Sequence, residues 1–323
     1  MVRFLPAEVR VRVPATSANL GPGFDALGLA LGRYDEVSAR ATDAGIRVTV
    51  DGEGAGDLPI DGEHLVVRSM MATFDRLGGR PAGVEVSCRN SIPQARGLGS
   101  SSAAIVAGIL AARALVVDGP ARLPTAEVLE LAGQLEGHPD NVAPCLLGGL
   151  TIAWLDGGSA RAVRLEPAAG LRPTVFMPTE RGLTAQARAA LPASVPHRDA
   201  AFNAGRSALL VHALTSAPEL LLPATEDRLH QGYRAAGMPA TGALVDRLRR
   251  AGIPAVVSGA GPSVLVFGSV EELADAAGGL IESEIPVTSG WQMLPLDVDA
   301  RGAVVEVDLQ HAERGPVAAG RAS

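Results

Sequence analysis

Two glycines and three serines crowd into the stretch from Pro93 to Ala104, directly ahead of the apolar, helix-like run from Ile105 to Val117. A helix start leaves its first backbone N–H groups unpaired and carries a partial positive charge, so an anion settles there without a basic side chain. Gly97 and Gly99 let the backbone come close to such an anion, and the hydroxyls of Ser100, Ser101 and Ser102 can cap the helix, touch phosphate oxygens or hold a metal. Phosphate binding is the chemistry this spacing suggests. A second concentration of reactive groups runs from Leu135 to Cys145, with Glu136, His138, Asp140 and Asn141 inside six residues. A phosphate-bound Mg²⁺ asks for one or two carboxylates beside phosphate oxygens and water, and Glu136 or Asp140 can supply one. His138 stands far from every other histidine, which argues against zinc. Taken alone, each stretch also fits a blander role: the first as a turn that caps a packed helix, the second as a polar turn between helices.

Three familiar arrangements are absent. A Walker loop needs a lysine, and all 28 basic residues of this chain are arginine. A dinucleotide fingerprint needs a third glycine where Ser102 stands, and a nucleophile elbow needs a glycine after the serine where Gly99 to Ala103 has none. A third glycine-rich turn, Ser258 to Ser263, lies between two apolar strand-like runs, so its amides face either an anion or the first loop, or simply close a hairpin. The loop from Ala15 to Gly28 carries Asn19 and Asp25, which either bind a polar ligand or satisfy loop backbone. Thr184 and Arg188 fall one turn apart in a short helix over 184–191 and share a face. Arg206, Arg228 and Arg234 lie in or beside further helical stretches, where a solvated charge is the commoner role.

These groups must be carried by a substantial scaffold. At 323 residues and 33.0 kDa the chain is long enough for two domains, with the turn from Pro167 to Gly170 as the best boundary. Alternation predicts a strand over 9–13, and further strands are expected over 29–41, 46–51, 84–89, 150–155, 162–165, 174–177, 287–296 and 304–309. Helices are expected over 64–77, 125–135, 199–214, 218–233, 241–250 and 270–281, with His64 read as a helix-end residue and not a ligand. The tail from 311 to 323 reads as disordered. Hydrophobic residues make up 47% but aromatic ones only 3%, so the core must be built from Ala, Val, Leu and Ile. A net charge of -7 argues against nucleic acid and anionic membrane as partners. Two cysteines are too few for a disulfide framework, and neither a leader nor an apolar run of about 18 residues is present, so a cytoplasmic protein acting on a small molecule is expected.

The glycine-rich stretches, in this order, resemble the GHMP family of small-molecule kinases. Pro93 to Ser101 matches its central phosphate-loop motif and Ser258 to Ser263 its C-terminal glycine motif. Pro14 to Asp25 and Glu136 to Pro144 are similar to the branch of that family that phosphorylates L-homoserine. The similarity runs over residues 9–310. It implies an α+β fold in two domains, an N-terminal ATP-binding domain of mixed sheet and helices over 1–168 and a C-terminal ferredoxin-like domain over 169–310. It implies ATP and Mg²⁺ as cofactors, and it allows a homodimer. Pro93, Gln94, Ala95, Arg96, Gly97, Leu98, Gly99, Ser100, Ser101, Ser102 and Ala103 would wrap the triphosphate, and Glu136 with Ser100 or Ser101 would hold the metal. Asn19, Asp25, His138, Asp140 and Asn141 would line the homoserine pocket, with Asp25 or Asp140 near the ammonium and Asp140 or Asn141 orienting the hydroxyl. Arg188 and Arg234 would take the carboxylate, supported by Thr184. His64 and Gly232 depart from the family pattern, which places asparagine in the nucleotide pocket and proline before the Tyr-Arg pair.

Overall fold

The structure, a computed structural model, describes residues 2–182, 184–268 and 290–309. The expected helix over 270–281 and the tail over 311–323 lie outside the described residues.

Strand β1 (Glu8–Ala18) buries Val9, Val11 and Val13 on one face, the period-two pattern of a half-covered strand. It pairs antiparallel with the long β2 (Leu27–Thr42), with a register break between Pro14 and Ala15. There follow β3 (Gly45–Gly52), α1 (Leu65–Arg76) and β4 (Gly83–Asn90), with β3 and β4 parallel. Next come α2 (Ser100–Leu115), the single turn α3 (Gly119–Arg122), α4 (Thr125–Glu136), α5 (Pro139–Leu147) and the hairpin β5 (Leu150–Asp156) and β6 (Ser159–Leu165). Helix α2 is buried almost all round because α1, α4, α5 and the sheet surround it. Its small residues permit this: a Cβ on Gly108 would fall 2.4 Å from the Val66 carbonyl oxygen.

The chain continues through β7 (Pro173–Pro178), α6 (Thr184–Ala189), α7 (His197–Thr215), two single turns α8 (Leu221–Ala224) and α9 (Gln231–Arg234), and α10 (Pro239–Arg250). It closes with β8 (Ala255–Val257), β9 (Val264–Phe267), β10 (Trp291–Pro295) and β11 (Val304–Asp308). The second sheet has the order β10-β7-β9-β8 with every pair antiparallel, the strand order of a ferredoxin-like unit. One face of it joins the main core through Val175, Val256, Leu265 and Phe267. The other packs Phe176, Val257 and Val266 on Leu244 and Leu248 of α10.

Two expectations differ from what is found. The stretch over 218–233 is not one helix but short turns: the Asp227 carboxylate accepts from the backbone N–H groups of Leu229, His230 and Gln231 and starts a new turn there. Strand β11 returns to the first sheet, where it pairs with β1, so a cut at 168/169 does not separate the two sheets at the C-terminal end.

Candidate active site

The helix of the glycine and serine stretch starts earlier than its apolar run, at Ser100, with Gly99 in the left-handed region (φ 70°) as its N-cap. The loop ahead of it is clamped from two sides. A Cβ on Gly97 would lie 2.2 Å from the Ser258 carbonyl oxygen, and one on Gly99 would lie 2.0 Å from Thr16 Oγ1, so only glycine fits at either position. Ser258 Oγ bridges Ser17 Oγ at 2.8 Å and the Gly97 carbonyl at 2.6 Å, while the Leu98 carbonyl accepts from the Thr16 N–H. The third glycine-rich turn therefore faces the first loop. Arg96 donates from Nε to the Pro178 carbonyl and from Nη2 to the Thr179 carbonyl, which ties the loop to the second sheet. The first backbone N–H groups of α2 have no intrahelical acceptor, and they head a 16-residue helix.

Glu136, the last residue of α4, meets this helix start: Ser101 Oγ donates to its Oε2 at 2.8 Å and Ser102 Oγ to its Oε1 at 2.9 Å. Among the described residues no cation pairs with this carboxylate, and no group of three or more acidic, His or Cys side chains forms a cage for a metal. One carboxylate beside hydroxyls at a helix start is a donor set that fits Mg²⁺, which keeps water and phosphate oxygens as its remaining ligands. His138 and Asp140, around the start of α5, share a 2.7 Å contact between Nδ1 and Oδ1; this hydrogen bond holds the His138 imidazole above its ordinary pKa, against the effect of burial. Asn141 accepts from Thr16 Oγ1 at 2.8 Å, which leaves its amide N–H₂ for other partners.

Asn19 and Asp25 both adopt positive φ, at 68° and 54°. The Asn19 side chain latches the loop, donating to the Gly259 carbonyl and accepting from the Asp25 N–H. Asp25 holds Arg188 in a two-pronged ion pair, 2.8 Å and 3.1 Å, which raises the guanidinium's pKa further. Arg234 is 3% exposed and donates to the carbonyls of Ala187 and Gly259.

All of these line one cleft of about 390 Å³, together with Gln94 to Ser101, Ala103 and Thr184. Pro93 and Ser102 are buried and do not line it; Ser102 acts through Glu136. Arg206 and Arg228 do not line it either: they flank Phe202 and pair with Glu226 and Asp199. Sequence reasoning singled out neither Thr16 nor Asp35, and it read His64 from its own residue type as a helix end while the family resemblance placed its position in the nucleotide pocket. Asp35, buried behind the loop, accepts from the N–H groups of Ser91 and Ile92, and burial pushes its carboxyl up to about 6. His64 does precede α1, but it also lines the cleft, 3% exposed, with neither ring nitrogen bonded among the described residues and its pKa lowered by burial. Val37, Leu58, Pro59 and Leu65 line the same cleft, which thus offers apolar walls and one imidazole without a hydrogen-bond partner among the described residues. Thr16 lies inside the family-like stretch from Pro14 to Asp25, but its bond to Asn141, like those of Asp35, depends on partners brought together by folding.

A mixed sheet carrying a glycine loop and helix start, closed by a ferredoxin-like unit over one cleft, defines a GHMP kinase. The profile of the GHMP kinases N terminal domain matches residues 64–149. Over 305 residues the chain is 58% identical to the homoserine kinase of Streptomyces avermitilis, covering 94% of this chain and 97% of that one. It is 52% identical over 301 residues to the homoserine kinase of Clavibacter michiganensis, covering 93% and 94% of the two chains. Among solved structures, homoserine kinase from Cytophaga hutchinsonii superposes with a TM-score of 0.79 at 28% identity, covering 93% of this chain and 97% of that one. The chain belongs to the homoserine kinase family.

Proposed function

We propose that this protein transfers the γ-phosphoryl group of ATP to the side-chain hydroxyl of L-homoserine, giving O-phospho-L-homoserine for threonine biosynthesis, with Mg²⁺ and in the cytoplasm. The observation that carries the reading is the juxtaposition, in one cleft, of a phosphate-binding helix start with an Asp25–Arg188–Arg234 cluster suited to a zwitterion. No helix among the described residues is long and apolar enough to cross a membrane.

The backbone N–H groups from Gly97 to Ser101 receive the β and γ phosphates, and the apolar walls near His64 receive the base. Mg²⁺ held by Glu136 and Ser101, with Ser100 beside them, would neutralise charge on the phosphates. Arg188 and Arg234 bind the substrate carboxylate, and Asp25 binds its ammonium, with Thr184 supporting the arginines. Asp25 and Arg188 now neutralise each other; a zwitterion inserted between them exchanges one internal ion pair for two intermolecular ones and leaves the charge balance unchanged. The hydroxyl tail then points toward the loop, where Asn141 and Asp140 orient it, with His138 held against Asp140. Phosphoryl transfer through a loose transition state needs positioning and charge neutralisation more than a strong base.

The test is an ADP-release assay with ATP and Mg²⁺ over L-homoserine, L-serine, L-threonine, mevalonate and galactose. Strong preference for L-homoserine is expected. Turnover of an alcohol lacking the amino-acid group would overturn the assignment of Asp25, Arg188 and Arg234.

A further inference from the structure

His230 does not line the cleft, yet it stands between the two elements that shape its amino-acid end. Its side chain is fully buried. Nε2 lies 2.8 Å from the Gly21 carbonyl oxygen, and Nδ1 lies 3.2 Å from Nη1 of Arg234. Both partners have fixed roles, because a carbonyl only accepts and a guanidinium only donates. The ring is therefore neutral, with its proton on Nε2 and a lone pair at Nδ1. Burial also favours the neutral ring, against the pull of the Asp227 carboxylate 3.7 Å from Nε2. Phe24 stacks on the imidazole at a centroid separation of 5.1 Å, and the Arg234 guanidinium sits 5.3 Å from the Phe24 centroid.

The consequence falls on Arg234. Its Nε donates to Ala187, and its Nη1 donates to His230 and to Gly259. Three of its five N–H groups are taken, and Nη2 keeps two with no partner among the described residues. Without the acceptor at His230 Nδ1, the guanidinium loses one of its anchors and can turn in its plane. The Gly21 bond meanwhile holds the loop that presents Phe24 and Asp25.

We propose that His230 is a positioning residue for the substrate carboxylate: as a neutral ring protonated on Nε2, it locks the 19–25 loop through Gly21 and the fork of Arg234, so that Nη2 faces an α-carboxylate. It touches no substrate itself. The role rests on the reading of this end of the cleft as an amino-acid site.

Two variants separate the two bonds. His230→Gln keeps an N–H donor where Nε2 stands and removes the acceptor; His230→Asn keeps an acceptor where Nδ1 stands and removes the donor. His230→Gln is expected to raise KM for L-homoserine about tenfold or more, the scale of one hydrogen bond to a charged group, with kcat and KM for ATP inside about threefold. His230→Asn, which keeps the Arg234 acceptor but loses the Gly21 bond, should recover part of that loss. An unchanged KM for L-homoserine in His230→Gln, equal shifts in both KM values, or no recovery in His230→Asn overturns the role. Independently of any substrate, ¹⁵N histidine spectra of the wild-type protein should show His230 protonated on Nε2 alone, with an Nδ1 resonance that moves in Arg234→Ala. A ring protonated on Nδ1 overturns the arrangement. If the wild-type protein leaves L-homoserine unphosphorylated, the function reading falls and this role with it; normal turnover with an indifferent His230→Gln overturns the positioning role alone.

Discussion

Replacing Gly99 with alanine adds one methyl group at the tightest joint of the phosphate loop. Its φ of 70° is left-handed, which costs a residue with a Cβ about 1–2 kcal/mol. The new carbon falls 2.0 Å from Thr16 Oγ1 and 3.2 Å from Asn141 Oδ1, and Thr16 is fully buried and cannot swing into solvent. Overfilling a packed site costs about 1–3 kcal/mol, and pushing the Thr16 hydroxyl off Asn141 loses about 0.5–1.5 kcal/mol more. Gly99→Ala should therefore either destabilise the fold by about 3–6 kcal/mol or move the loop and raise KM for ATP, and the two effects trade against each other. Urea unfolding and ATP saturation curves on the same preparation measure both. Thr16→Ala removes the nearest atom, so the double variant should be about 1–3 kcal/mol more stable than the sum of the single changes implies. Wild-type stability together with wild-type KM for ATP in Gly99→Ala would refute the steric reasoning, as would strict additivity of the pair.

Glu136→Gln removes the charge that two serines hold at the helix start; kcat should fall on the order of a hundredfold at saturating Mg²⁺ with little change in the urea midpoint, and an unaltered kcat would take Glu136 out of the metal site. Arg188→Ala should raise KM for L-homoserine on the order of tenfold or more while KM for ATP moves less than about threefold; equal changes would contradict a carboxylate clamp. Burial lifts Asp35 from 3.8 to about 6, so between those values the folded protein binds the proton more tightly than the unfolded chain. Stability then falls as pH rises through this window and stays lower above it. Asp35→Asn keeps the acceptor for Ser91 and Ile92 without the charge, so it should be about 1–3 kcal/mol more stable than wild type at pH 8, with the gain vanishing toward pH 4. A variant less stable than wild type at pH 8 would show that the charged carboxylate is required there.

Much of this was legible before folding because the signals are local. Alternation in Val9, Val11 and Val13, and glycines at 97 and 99 ahead of an apolar run, report backbone constraints within a few residues. The apolar run misses the true start of α2, since the serines of its first turn face Glu136 and the cleft and carry no hydrophobic signal. The stretch over 218–233 looks helical in composition, but the Asp227 cap breaks it, and a side chain bonding its own backbone is invisible to periodicity. Thr16 meets Asn141 across 125 positions and His230 meets Gly21 across 209, so neither role has any signature near it in the chain. His64 shows the same limit: its place before a helix was readable, whereas two unbonded nitrogens in a cleft wall depend on packing. Strand β11 behaves likewise, because its pairing with β1 spans nearly the whole sequence.

The central claim is that the phosphoryl group goes to the side-chain oxygen of an amino acid held by its backbone charges. Phosphorus NMR of the product formed from ATP and L-homoserine tests it most directly. The expected product is a stable phosphate monoester whose phosphorus couples to the terminal methylene protons of homoserine, formed one-for-one with ADP. Inorganic phosphate alone, or an acid-labile acyl phosphate on the carboxylate, would contradict it, because the carboxylate would then lie free or at the phosphate loop instead of at Arg188 and Arg234.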